Sequence, residues 1–142
     1  SKGLEIGLSG AITPQWQVSA GYALQDAKIR KTTSAAPAGR EVPLVPKQQV
    51  SLWTRYDFTP RFGAGVGVYH QSKSFTSISN TAVLPAFTRV DAAAFFKLTP
   101  QIEAQINVEN LLDSNYFSSA YNDNNIMPGA PTTARATVRM SF

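Results

Sequence analysis

The sequence predicts an all-β fold: antiparallel strands of a transmembrane β-barrel of the outer-membrane type. Three observations predict it. Seven runs of about eleven to fourteen residues alternate apolar with polar side chains. The joints between them are short and long in turn, and large aromatic residues gather beside the short ones. Strands of globular proteins are usually ~5–6 residues long, so runs of this length suit a membrane wall better than a soluble sandwich.

The short joints share one punctuation mark: Thr13-Pro14-Gln15-Trp16, Thr59-Pro60-Arg61-Phe62 and Thr99-Pro100-Gln101-Ile102. Proline presets φ for a tight turn and cannot donate to a strand ladder. A repeat of this kind could also mark propeller blades, but a blade needs a turn signal every ten residues or so. Lys47 to Phe58 contains no Gly, Pro or Asn, so the spacing is that of long hairpins. The strands are expected at Lys2–Ile12, Trp16–Ile29, Lys47–Phe58, Phe62–Phe75, Phe87–Leu98, Ile102–Leu112 and Thr132–Phe142. Long, turn-rich loops separate the hairpins at Arg30–Pro46, Thr76–Ala86 and Asp113–Pro131.

Side chains two apart share a strand face. One face carries Leu4, Ile6, Leu8, Ile12; Trp16, Val18, Ala20, Tyr22, Leu24; Val50, Leu52, Thr54, Tyr56, Phe58; and Phe62, Ala64, Val66, Val68. It continues through Val90, Ala92, Ala94, Phe96, Leu98; Ile102, Ala104, Ile106, Val108; and Ala134, Ala136, Val138, Met140, Phe142, with no charge at any of these positions. The other face holds Glu5, Arg55, Asp57, Arg89, Asp91, Lys97, Glu103, Glu109, Arg135 and Arg139. That face is too charged for a dry core and suits a lumen that meets water or a plug. Trp16, Phe58, Phe62, Phe96 and Phe142 form the expected aromatic girdle at the short-turn end, and Tyr22, Tyr69 and Phe75 mark the other, with Tyr69 on the polar phase.

Composition bounds the function. The 142 residues carry a net charge of +4 and 43% hydrophobic residues, with a mean hydropathy of −0.15. No run reaches the roughly 18–20 apolar residues of a membrane helix, which excludes helical spans and leaves strands open. The thirteen Lys and Arg are scattered, whereas nucleic-acid binding calls for a basic patch on one face. Cysteine is absent, which removes disulfide and thiolate chemistry. Ser1 falls inside a strand-like run without a signal peptide, so the chain reads as a piece of something longer. Seven strands cannot close a barrel with both ends on one side, since bacterial barrels have even strand numbers. The expectation is therefore that residues 1–142 form the C-terminal segment of a larger barrel; a small complete barrel, such as an adhesin or structural porin-like protein, is the alternative, and a soluble sandwich binding module a second.

Several blocks then carry a family resemblance. They are Ser1-Lys2-Gly3-Leu4-Glu5, Val45-Pro46-Lys47-Gln48-Gln49, Pro85-Ala86-Phe87-Thr88-Arg89-Val90-Asp91-Ala92, the run Asn107-Val108-Glu109-Asn110-Leu111-Leu112-Asp113-Ser114-Asn115-Tyr116, the Pro128-Gly129 step and the terminal Phe142. In that order the chain resembles the TonB-dependent receptors, in particular those for ferric siderophores of the hydroxamate type. Several members carry Pro-Arg just after the Pro-Gly; Ala130-Pro131-Thr132-Thr133 stands here instead. The resemblance implies a plugged barrel of about 22 strands in the bacterial outer membrane, a ferric siderophore as ligand and no cofactor. It implies TonB-transduced energy reaching an N-terminal plug region that is not in this sequence, and contact with outer-membrane lipid, lipopolysaccharide and the barrel-assembly machinery. Phe142 would be the membrane-assembly signal. Tyr121, in Ser118-Ser119-Ala120-Tyr121-Asn122, matches an aromatic that contacts the chelate in such receptors; the other reading is a tyrosine packed on its own loop.

Other residues are weighed on their chemistry. Gly63, Gly65 and Gly67 mimic a phosphate loop but alternate inside a strand, where they make room at the inner wall. His70, the one histidine, reads as a solvated side chain near a loop end rather than a metal ligand. Asn122-Asp123-Asn124-Asn125 offers calcium one carboxylate and reads more simply as a turn. The pair Arg89 and Asp91, with Glu103 and Glu109, reads as wall charges that pair with one another or with a plug. No nucleophile–base–orienter set is visible, and a non-enzyme is expected.

Overall fold

In the computed structural model, which describes residues 1–34 and 36–142, seven long strands form one antiparallel sheet. They are β1 Lys2–Thr13, β2 Trp16–Asp26, β3 Gln48–Thr59, β4 Phe62–Gln71, β7 Phe87–Thr99, β8 Ile102–Glu109 and β11 Thr133–Met140, each beside its predecessor. Two small hairpins stand outside the sheet: β5 Ser74–Phe75 with β6 Val83–Leu84, and β9 Phe117–Asn122 with β10 Asn125–Pro128.

The register bears out the two faces. Apolar residues meet apolar residues across every ladder: Ile6 opposes Tyr22, Ala20 opposes Leu52, Leu52 opposes Val68, Val66 opposes Ala92, Ala94 opposes Ile106 and Ala104 opposes Val138. A slip of one residue would send all of these to the wrong side. Leu8, Val66 and Val138 are exposed on the apolar face, as residues of a lipid-facing surface are. On the other face Arg55, Asp57, Phe95, Gln105 and Arg139 line a recess of about 280 Å³.

The short turns are one device used three times. The register shifts between Ala11 and Thr13, between Asp57 and Thr59, and between Lys97 and Thr99. Each is a bulge, in which two residues of the incoming strand oppose one of the outgoing strand. The Thr59 hydroxyl accepts from the amides of Arg61 (3.2 Å) and Phe62 (3.0 Å), and Thr99 does the same for Gln101 (3.2 Å) and Ile102 (3.0 Å). The extra residue is Ile12, Phe58 or Leu98, respectively 58%, 59% and 58% exposed. Beside these turns Phe58, Phe62 and Phe96, three of the five rings of the expected girdle, touch ring to ring with Tyr56 at 5.1–5.6 Å.

The strands are shorter than expected at the long-loop end. β2 stops at Asp26 because Lys28 bridges to Glu41 within its own loop. β4 stops at Gln71, which pairs with Gln49 near the start of β3; Phe75 lies in the β5–β6 hairpin and not in the wall. β8 stops at Glu109 because Asn110 and Asp113 adopt φ of 53° and 50°, a left-handed backbone that ends an extended run. Tyr69, on the polar phase as expected, shares the inner face with Arg89, which it opposes, and so does not join a lipid-facing girdle.

Candidate functional site

The three long loops lie at one end of the sheet, and a few polar side chains organise them. Asn110 is the first. It is 1% exposed, and its side chain donates to the carbonyls of Ser114 (3.0 Å) and Ala130 (3.1 Å) while accepting from the Ser114 amide (2.9 Å). Its amide donates to Asp91 Oδ1 (2.9 Å), and its carbonyl accepts from the Thr132 hydroxyl (2.6 Å). Both ends of the last loop are thereby tied to β7. The Asn-Leu-Leu-Asp run that carried the resemblance is thus a turn hub.

Above the hub, aromatic rings line the inner wall. Tyr69, Phe87 and Tyr116 form a row with centroids 5.9 Å and then 4.5 Å apart. Arg89 lies beneath them, paired with Asp91 at 3.1 Å. Gly129 passes so close to the Tyr116 ring that a Cβ there would collide with it, and its amide donates to the Tyr116 carbonyl at 2.7 Å.

The β9–β10 hairpin projects from this base and carries Tyr121, which is 86% exposed. One residue past β9, the Asp123 carboxylate accepts hydroxyl donors from the β5–β6 loop: Thr76, Ser77 (2.7 Å), Ser79 (2.9 Å) and Thr81 (3.2 Å). These donors hold Asp123 down from 3.8 to about 2, Thr76 contributing most. The β5–β6 loop is fastened to the first long loop in turn. Asn80 accepts from the Glu41 amide (2.7 Å) and donates to its carbonyl (3.0 Å), and Arg40 donates to the Ile78 carbonyl (3.2 Å). Near the wall, Glu41 pairs with Lys47 at 2.7 Å and raises its pKa.

The remaining candidates fall into place around this layer. Gly65 and Gly67 lie under Trp53, where a Cβ at Gly65 would come within 2.5 Å of the indole, so they clear space on the inner wall. His70 lies on the lipid-facing phase with Nδ1 2.8 Å from the Thr88 hydroxyl. Among the described residues, no three His, Cys, Asp or Glu side chains gather as metal ligands would. Glu103 faces Lys97 at 3.9 Å, Arg55 pairs with Asp57 at 3.1 Å, and the Arg55 guanidinium lies 3.8 Å over the Phe95 ring. Phe142 follows β11 and is fully exposed. Sequence reasoning missed Asn110 as a hub and Asp123 as a fastening; the serine and threonine run of 76–81 was the available signal for the second.

A lipid-facing apolar wall, a charged inner wall, short turns at one end and a tied loop layer at the other define a segment of an outer-membrane β-barrel. Residues 1–111 match the family described as TonB dependent receptor-like, beta-barrel, and the chain belongs to it. It is 34% identical over 129 residues to the probable TonB-dependent siderophore receptor PiuA of Acinetobacter baumannii, covering 84% of this chain and 17% of that protein. It is 31% identical over 147 residues to the catecholate siderophore receptor Fiu of Escherichia coli, covering 99% and 19%. The crystal structure of Fiu in its closed form superposes with a TM-score of 0.87 at 29% identity over 99% of this chain and 20% of that one. The PiuA structure gives 0.83 at 30% identity over 96% and 21%. The chain spans about a fifth of the length of the curated relatives it matches.

Proposed function

We infer that this chain is the C-terminal wall and part of the outer loop layer of a receptor that binds a ferric siderophore and imports it with TonB-transduced energy. The observation that carries this reading is the likeness to siderophore receptors along nearly the whole chain, loops included. The named relatives do not specify the hydroxamate type, and Fiu is a catecholate receptor. In the whole protein a plug preceding these strands would fill the lumen and meet the inner-wall charges. The protein acts as a transporter rather than an enzyme.

Tyr121 is the proposed contact for the chelate. It stands at 86% exposure on a hairpin, and an aromatic ring with a polar tip suits a partly apolar ligand. In the whole receptor, Tyr121→Ala should weaken binding by about 1–3 kcal/mol, as loss of a hot-spot aromatic does, and Tyr121→Phe by less. Titration with a ferric trihydroxamate and a ferric triscatecholate measures this and separates the two ligand chemistries. Equal affinity of Tyr121→Ala and the native receptor for the chelate that binds would remove Tyr121 from the site. Phe142 is proposed as the assembly signal read by the barrel-assembly machinery, with lipid and lipopolysaccharide against the outer face; Phe142→Ala should slow insertion in cells.

A further inference from the structure

We propose that Asp123 is the clasp of a lid: it fastens the hairpin bearing Tyr121 to the β5–β6 hairpin, so that the long loops move as one body over the mouth of the barrel. The clasp stands on geometry alone, while its bearing on ligand capture rests on the reading of Tyr121 above. Neither small hairpin belongs to the main sheet. Their positions are therefore set by side chains and by the segments that tether them to the wall. Four hydroxyls from one short loop converge on both oxygens of a single carboxylate, about as many donors as an ionised carboxylate accepts. Ser77 and Ser79 lie 2.8 Å apart, as do Ser79 and Thr81, so each of these hydroxyls can give its one proton either to the carboxylate or to a neighbour. On its other side the same loop is held by Asn80 and Arg40, and the Leu44 amide donates to the Phe75 carbonyl at 2.9 Å. The chain of fastenings runs from the first loop through the second to the third. All four donors at Asp123 are neutral; Thr76 is buried at 2% exposure, while Ser77 and Ser79 are half-buried and Thr81 is exposed, so the outer three bonds can be exchanged for bonds to water without stranding a charge. Such a fastening can open and close.

The test uses the whole receptor in detergent, with spin labels at Val83→Cys and Asn124→Cys and distances read by pulsed electron resonance. The native background should give one narrow distance. Asp123→Ala should give a broad, longer distribution and dissociation of the bound ferric chelate several-fold faster. Asp123→Asn keeps an acceptor oxygen and should fall between. The double variant Ser77→Ala, Ser79→Ala leaves the carboxylate in place and should also broaden the distance, which guards against a folding defect peculiar to Asp123→Ala. A native-like narrow distance in Asp123→Ala, or in the serine double variant should Asp123→Ala not fold, overturns the clasp. If Asp123→Ala releases the hairpin while Tyr121→Ala binds chelate as tightly as the native receptor, the clasp stands and the ligand role of Tyr121 falls.

Discussion

The wall and the loop layer are built from the same chain by opposite means. In the wall, backbone ladders carry the structure, and each side chain adds one repeat of a pattern found at every neighbouring position. In the loop layer the ladders are two and four residues long, and a handful of polar side chains sets the arrangement. Structural information is therefore spread out in the wall and concentrated above it. The wall should tolerate most changes that respect its two faces and fail at once on a change that violates them. The loop layer should fail at Asn110, Asn80 or Asp123 and be indifferent to most other exposed positions.

The sharpest way to break this comparison is a charge on the lipid face. Val66 opposes Thr54 and Ala92 near the middle of the wall, so Val66→Arg should cost about 2–4 kcal/mol of membrane stability. Gln105→Arg, on the inner face between Phe95 and Thr137, should be mild. The folded fraction by heat-modifiable gel mobility measures both, and equal losses would dissolve the distinction between the faces.

A smaller effect is expected at the hub. Asn110→Ala strips partners from the Ser114 amide and the Ser114 and Ala130 carbonyls; Ser114 is only half-buried and Ala130 is exposed, so water replaces much of what is lost and the total cost should be about 1–3 kcal/mol. It also places alanine at φ 53°. Asn110→Gly relieves that backbone cost and should recover up to ~1 kcal/mol without restoring the bonds. Both variants should still assemble as barrels while their last loop becomes sensitive to protease. Failure of Asn110→Ala to assemble, on the scale of Val66→Arg, would mean that the loop layer is part of the wall's own stability.

The smallest effect is that of acid on the clasp. The pKa of Asp123 is depressed in the closed loops, from 3.8 to about 2. The contribution of the carboxylate is therefore fully present above its ordinary pKa and is lost as pH falls through about 2. The groups facing it are the four hydroxyls, none of which titrates in this range. The hairpin distance should stay constant from about pH 7 to about pH 4 and widen below. Because the donors are neutral, added salt should leave it unchanged. Widening near pH 6 would point to a different titrating group.

The same contrast explains what could be read from the sequence. The faces, the three short turns and the girdle were legible because period two and the Thr-Pro marks are local signals. The outer ends of β2, β4 and β8 were overrun because apolar residues such as Ile29, Phe75 and Leu112 continue past the point where the partner strand ends. The clasp was not legible, since Asp123 finds its partners 42–47 residues earlier, and nothing in an isolated Asn-Asp-Asn turn announces them. Tyr121 came from resemblance alone, and periodicity says nothing about an exposed ring on a loop.

The three bulges at the short turns have a consequence for how deep the barrel floats. Each brings one surplus apolar residue, Ile12, Phe58 or Leu98, to the rim next to the closing pair Thr13–Trp16, Thr59–Phe62 or Thr99–Ile102. The rim therefore carries a denser hydrophobic hem than a plain strand end could supply, anchored on one side by the aromatic row. A membrane is matched to a protein at both of its boundaries, and mismatch costs fractions of a kcal/mol per Å. With one boundary pinned at this hem, thinner or thicker bilayers are accommodated at the opposite shore, beneath the loops. The turns thus act as a keel, and the waterline is left to vary on the side where ligand arrives.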